Sequence, residues 1–329
     1  MGSTGLRISR LLLGAMTFAD PDEGERMVDL YQEAGGDVID TASAYHDSEE
    51  VLGRALKGRR DRFVLSTKFG LPRDPDHPGS GGAHRKNLTL SLDRSLRRLR
   101  TDHVDLLWVH TWDPHTPIAE TMRALDDMVR AGKVLYLGAS NLPAWVVARA
   151  DTIARYEGWT TFSALQVPYN PLHRDIEREL LPLARTLDMT VTTYNPLATG
   201  ILSGRYTDPA LGTTPTGRLR PQDLSARQHE AARTVIDLAR ELDTTPARVA
   251  LAWSLARSPR LHPIIGASTT DQLRDNLGSL EVDLPGQAME RLNALAGFEP
   301  GYPYELNAST PDRIDGDRTV RSLRESPFG

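Results

Sequence analysis

Four titratable side chains fall at or just beyond the ends of successive short apolar runs. Asp40 closes Val38-Ile39, and Tyr45 follows five residues later. Lys68 comes directly after Phe63–Thr67, and His110 directly after Val104–Val109. An acid, a phenol, an amine and an imidazole at matching strand exits point to one shared site. A free tyrosine is a poor proton donor, with a pKa of about 10. A neighbouring ammonium favours the phenolate and lowers that value. Lys68 can be this neighbour, with Asp40 holding it charged and oriented. His110 can donate a hydrogen bond to an oxygen on which negative charge grows. The set suits proton delivery to an oxygen during carbonyl reduction. It holds no hydride source, so a nicotinamide cofactor has to supply one.

Taken singly, each residue has a plainer explanation. Asp40 and Lys68 could be a structural ion pair, Tyr45 an ordinary loop residue and His110 a core histidine. Their conjunction at matching positions is what favours chemistry. A metal-dependent isomerase would instead need carboxylates and imidazoles converging as ligands, whereas a lysine stands at the centre of this group, so no metal is expected. Further polar residues follow other apolar runs. Ser140, Asn141 and Gln166 offer partners for a carboxamide, and Tyr194 a ring to stack on it. The stretch Gly266–Thr270 opens a helix whose free N–H groups favour a phosphate, although it could be only a helix cap.

These residues need a scaffold that repeats. Strands are expected at Leu11–Leu13, Val38–Asp40, Phe63–Thr67, Val104–Val109, Val134–Leu137, Phe162–Val167, Thr190–Tyr194 and Pro263–Ile265. Helical spacing covers Asp22–Ala34, Ser48 to about Gly58, Leu88–Leu99, Pro117–Ala131, Pro143–Tyr156, Ile176–Leu187, Ala226–Leu242, Pro246–Ala256, Thr270–Leu277 and Gly286–Ala296. Pro182 predicts a kink or an early start in the sixth of these. Alternating strands and helices argue parallel βαβ units, and eight of them suit a closed (β/α)8 TIM barrel of the α/β class. An open doubly wound sheet would want a glycine-rich fingerprint after the first strand, which Gly14-Ala15-Met16-Thr17 is not.

The 329 residues are 39 % hydrophobic and 25 % charged, with a net charge of −5 and no cysteine. That excludes a disulfide framework and a thiolate zinc site. No block of like charge suggests nucleic acid as a partner, no apolar run reaches the roughly 20 residues of a membrane span, and no signal pattern opens the chain. A cytoplasmic protein acting on a small molecule is expected. It reads as one domain over 1–329, with a core at about 6–297 and a tail at 298–329 over or near the active site.

The ordered stretches DVIDTASAY with SEEVLGRAL, STKFG, DLLWVHTWD, YLGASN, ALQVPYNPL, TTYNPLATGILSGRY and PIIGASTTDQLRDNL resemble the aldo-keto reductase superfamily. The match runs over about Leu6 to Leu284 and sits nearest a bacterial branch of aryl-alcohol dehydrogenase-like and potassium-channel β-subunit-like members. It implies a catalytic tetrad of Asp40, Tyr45, Lys68 and His110, with Tyr45 as general acid. It implies an extended NADPH across the strand ends, with NADH as the alternative. Ser140, Asn141, Gln166 and Tyr194 would hold the nicotinamide; Leu197, Gly200, Leu202 and Arg205 would line or cover the pyrophosphate; Ser268, Gln272 and Asn276 would hold the adenosine end. Gly14, Met16, Thr17, Asp40, Asn195 and Gly266 complete the cofactor face. Aldehydes or ketones are the implied substrates, including polyketide or deoxysugar ketones of bacterial natural-product pathways. The alternative is a nicotinamide-binding regulatory subunit with little turnover, and a homo-oligomer fits either.

Two departures stand out. Relatives usually carry glycine after the tyrosine, where this chain has His46, which could touch substrate or face water. Some place a basic residue at the position of Ser268 or Gln272, where the nearest guanidinium here is Arg274. Substrate choice is expected in Phe69–Ala83, Trp112–His115, Arg205–Ser225 and the tail, with Trp112 as a pocket wall.

Overall fold

Eight parallel strands pair in chain order, and the eighth returns to the first to close a barrel. The computed structural model describes residues 1–72, 74, 76–211 and 219–308. The strands are β1 (Leu12–Gly14), β2 (Val38–Asp40), β3 (Val64–Phe69), β4 (Val104–Val109), β5 (Val134–Ser140), β6 (Phe162–Pro168), β7 (Thr190–Tyr194) and β8 (Leu261–Gly266). The helices are α1 (Pro21–Glu33), α2 (Ser48–Ala55), α3 (Arg85–Leu99), α4 (Ile118–Arg130), α5 (Ala144–Glu157), α6 (Leu180–Thr186), α7 (Ala226–Glu241), α8 (Pro246–Arg257), α9 (Thr270–Leu277), α10 (Gly286–Asn293) and α11 (Tyr304–Ala308). The expected (β/α)8 barrel is present, with helices outside parallel strands.

Local chemistry starts the helices where the sequence suggests. The Asp20 carboxylate accepts the N–H groups of Asp22 and Glu23, and Pro21 stands where a missing N–H costs nothing. Ser225 and Gln228 cap α7 reciprocally. Several expected bounds shift, β8 among them, which starts at Leu261 rather than Pro263; three changes matter most. β3 runs on through Lys68 to Phe69, so the lysine lies inside a strand. β5 extends to Ser140. The helix expected over Ile176–Leu187 is split: Asp175–Glu177 makes a 3₁₀ turn and α6 starts late, at Leu180. Pro182 then falls in the first turn, where its absent N–H is tolerated.

Side chains alternate across each strand. One set faces the helices and forms the large apolar layer between barrel and helices. The other faces inward, and the register aligns it from strand to strand: Asp40 with Ser66, Lys68 with Trp108, Trp108 with Gly138, Ser140 with Gln166. Below the polar layer the interior is filled by two small apolar clusters. One contains Leu12, Val38 and Ile264. The other contains Leu106, Trp108 and Ala164.

The chain past α10 folds back onto the connection between β6 and α6. Arg174 and Arg178 lie over the Phe298 ring, 5.7 and 5.5 Å from its centre. Arg178 also donates to the carbonyls of Glu299 and Pro300. The expectation for the rest of the tail, 309–329, lies outside the described residues, as does that for 212–218.

Trp108 closes the barrel under the site and is fully buried. It has room only because its neighbour on β5 lacks a side chain: a Cβ on Gly138 would stand 2.2 Å from the indole. Overpacking of this kind costs about 1–3 kcal/mol. Gly138→Ala is expected to lose that much stability in urea unfolding. A loss under about 0.5 kcal/mol, the range of neutral surface changes, would show that the indole can move aside.

Candidate active site

The inward parity of β2, β3 and β4 brings three of the four expected groups together at the C-terminal mouth of the barrel. Lys68 is 1 % exposed. Its Nζ pairs with Asp40 Oδ2 and donates to the Thr41 carbonyl at 2.7 Å. The other Asp40 oxygen accepts from Ser66 Oγ at 2.6 Å and Gln166 Nε2 at 3.1 Å. Burial pushes the Lys68 ammonium below the usual lysine range, and the Asp40 charge opposes that shift. Tyr45 arrives from the loop after β2. The Lys68 ammonium lies 5.1 Å from the centre of its ring, and the His110 ring meets it edge-on, 5.8 Å between centroids. Phenol, ammonium and imidazole therefore share one corner.

His110 is 8 % exposed, and its Nδ1 is buried without a hydrogen-bond partner. Burial first, and then the Lys68 charge, push its pKa down to about 4. At neutral pH it is an uncharged imidazole that can donate one hydrogen bond.

A cleft of about 550 Å³ starts at this corner, within the about 300–1,000 Å³ usual for ligand sites. It is lined by Tyr45, His110, Asp40, Ser140, Asn141 and Gln166 at one end. Tyr194, Asn195, Leu197, Gly200 and Arg205 follow, with Gly14, Met16 and Thr17 on the β1 side, and Gly266, Ser268, Gln272 and Asn276 at the far end. Two expected contacts are absent from its wall. Lys68 sits behind Tyr45 and Asp40. Leu202 is fully buried and its N–H goes to the Leu197 carbonyl, so it supports the loop from below. Pro196, Thr199, Tyr206, Leu251, Ile264, Ile265 and Ala267 also line the cleft. Sequence reasoning did not single out these residues as cofactor contacts, although Pro196, Thr199 and Tyr206 lie within the quoted stretch after β7 and Ala267 within Gly266–Thr270.

The polar atoms in the cleft fit a nicotinamide. Asn141 Nδ2 donates to the His110 carbonyl and to Ser140 Oγ, at 2.9 and 3.0 Å, and Tyr194 OH donates to Asn141 Oδ1 at 2.9 Å. That leaves the Ser140 O–H and Gln166 Oε1 without partners among the described residues, a donor and an acceptor for a carboxamide. The loop after β7 bends under the cleft with Asn195, Ala198, Thr199 and Gly200 all at positive φ. Backbone strain of this kind collects at ligand sites. The Arg205 guanidinium lies against Gly200, where a Cβ would meet it at 2.2 Å. Ser268 donates its N–H to Gln272 Oε1, and Asn276 ties α9 to the Gly266 carbonyl. Arg274 is paired with Asp271 in solvent and does not line the cleft.

His46 faces solvent rather than the cleft. Its φ is +35°, which is the physical reason a glycine suits that position. Trp112 stands outside the cleft, 39 % exposed and T-stacked on Trp145 at 5.7 Å. Among the described residues no cluster of side chains could hold a metal ion, and no helix is long and apolar enough to cross a membrane.

A parallel barrel with a buried lysine–carboxylate pair, a phenol and a neutral imidazole beside a dinucleotide-sized cleft defines a nicotinamide-dependent oxidoreductase. The chain belongs to the aldo/keto reductase family, whose sequence model matches residues 10–296. It is 37 % identical to the aldo-keto reductase ausK of Emericella nidulans, over 94 % of this chain and 83 % of that one. It is 34 % identical to the norsolorinic acid reductase stcV of the same fungus, over 97 % and 86 %. It is 32 % identical to an aryl-alcohol dehydrogenase of Pestalotiopsis microspora, over 92 % and 83 %. These three relatives are fungal rather than bacterial. The protein is an NAD(P)H-dependent oxidoreductase of small carbonyl compounds.

The depressed His110 pKa has a consequence for stability. The unfolded chain takes up the proton first, near pH 6.5, while the folded chain resists until about pH 4. Stability is therefore lost as pH falls through that window, by about 3 kcal/mol from this group. His110→Asn should remove that part of the decline, as read by urea unfolding from pH 7 to 4; His262, also held neutral by burial, keeps its own share in both proteins. Parallel curves for the two proteins would contradict a buried neutral His110.

Proposed function

We propose that the protein reduces an aldehyde or ketone with NADPH, and that Tyr45 donates the proton. One observation carries the reading: Tyr45, with Lys68 and His110 beside it, lines the same cleft of about 550 Å³ as Arg205, Ser268, Gln272 and Asn276. When bound, the nicotinamide supplies hydride. The protein's own groups do the rest. Ser140 and Gln166 orient the carboxamide, Tyr194 backs the ring, and Arg205 with the loop after β7 covers the pyrophosphate. The substrate oxygen sits between Tyr45 and His110. The neutral His110 donates a hydrogen bond that stabilises charge growing on it, and the Tyr45 O–H transfers its proton there. Lys68, held by Asp40, favours the phenolate left behind. Residues 298–300 pack beside the β6–α6 connection, and a tail that borders the substrate is part of this proposal. Ketones of natural-product pathways are the proposed substrate class, in keeping with the name norsolorinic acid reductase borne by a relative.

NADH is the second reading, and a specific observation favours it. The guanidinium nearest the adenosine end, Arg274, is turned to Asp271. The first-turn N–H of Thr270 in α9 is taken by the Glu23 carboxylate at 2.6 Å, so a 2′-phosphate would find less there to grip.

Tyr45→Phe is expected to lower kcat by about 10²–10⁴-fold, the usual worth of a positioned acid, while NADP⁺ affinity by fluorescence titration stays near that of the parent. Loss of both together would contradict the division of roles. In the same titration Arg274→Ala should leave the affinity for NADPH within about twofold, since it removes no contact in the cleft. A tenfold loss, about 1.4 kcal/mol, would mean that Arg274 swings onto the phosphate.

A further inference from the structure

Glu49 is a buried carboxylate that the proton transfer does not use. It is 1 % exposed, lies in the first turn of α2 and accepts the Thr67 hydroxyl at 2.8 Å. Thr67 is the β3 residue just before Lys68. Facing Glu49 is Arg98, in the last turn of α3, with a side chain only 13 % exposed. Its Nε stands 3.7 Å from Glu49 Oε2 and 3.3 Å from Glu50 Oε1. Its Nη2 donates to the backbone carbonyl of His46. α2 and α3 touch closely behind this pair: a Cβ on Gly53 would sit 2.3 Å from the Arg98 carbonyl oxygen. The arginine therefore has a fixed base, and a fixed charge to aim at.

What it grips is the peptide after Tyr45, on strained backbone. His46 holds φ at +35°, a left-handed conformation that glycine adopts freely and a histidine does not. The Tyr45 N–H donates to Ala42, and the Tyr45 carbonyl accepts from Ser48. These bonds bracket Tyr45 but leave the His46 carbonyl to Arg98. Released from the guanidinium, the His46 peptide would relax toward negative φ and carry Tyr45 with it.

We propose that Arg98 is a positioning residue for the reaction. Anchored by Glu49 to the strand that carries Lys68, it holds the left-handed turn at His46 and so keeps the Tyr45 phenol beside the Lys68 ammonium. The inference rests on Tyr45 being the proton donor.

The test compares Arg98→Met with the parent, using 4-nitrobenzaldehyde and NADPH. The expected result is a fall in kcat of fivefold or more, with NADP⁺ affinity by fluorescence within twofold. The alkaline limb of the kcat–pH profile moves upward, because a phenol farther from the ammonium is a weaker acid. His46→Gly in the Arg98→Met background recovers at least threefold of the lost rate, since glycine needs no clamp at that φ. A kcat within fivefold of the parent, a matching loss of cofactor affinity, an unmoved pH profile or no recovery by glycine each overturns the proposal. If Arg98→Met does not fold, Arg98→Lys, which keeps the charge but not the fork, carries the same thresholds. Tyr45→Phe run alongside separates the two readings. If it still turns over, the acid assignment fails and the clamp with it. If it is inactive while Arg98→Met is unaffected, the clamp alone fails.

Discussion

A lysine ammonium inside the barrel is the constraint on which the site depends. Moving such a charge out of water costs several kcal/mol, and only a well-placed counter-charge with further hydrogen bonds offsets it. Lys68 has both, in Asp40 and the Thr41 carbonyl. Asp40 is in turn held by Ser66 and Gln166. The buried charge therefore ties three strands together at once, β2, β3 and β6. It also sets the electrostatics of its neighbours, helping to keep His110 neutral.

Beneath the charge, the barrel is closed by bulk. Trp108 fills the space that Gly138 leaves, and the apolar clusters around Leu12 and Leu106 complete the layer. Lys68 is itself almost wholly buried, so its contacts operate in a low-dielectric setting where electrostatics are strong. Above the charge the structure changes character. The loops after β2 and β7 carry non-glycine residues in left-handed backbone, His46, Asn195, Ala198 and Thr199 among them. Rigid strands set where the charges are, and strained loops set where the phenol and the cleft wall stand.

Much of this was legible in the chain. Short apolar runs placed β2, β4 and β7 at their observed bounds, and the tetrad stood out because its members fell at or just beyond the ends of such runs. The reading faltered where local pattern and tertiary pairing disagree. Lys68 and Ser140 looked like exit residues because polar side chains seemed to end β3 and β5. In the barrel those strands continue, since an inward polar side chain at the mouth has partners and does not terminate pairing. Pro182 was expected to disturb a helix from within; α6 instead begins just before it. The resemblance implied a cleft position for Leu202, yet the 3₁₀ turn over Ala198–Ser203 buries it in the core.

The sequence by itself determined the class of the protein. Short apolar strands alternating with helical stretches favour a parallel barrel over an open sheet, and an acid, a lysine, a phenol and an imidazole at matching positions suit proton delivery. The tertiary structure alone decided distances and states. That the ammonium is dry, that the imidazole is neutral, that His46 turns away from the cleft, and that Arg98 reaches across from α3 to hold its carbonyl all depend on contacts between segments up to 126 residues apart, as Asp40 and Gln166 are. Spacing along a chain records which residues share a face; it carries no measure of burial, which sets the dielectric and hence the charge each group bears.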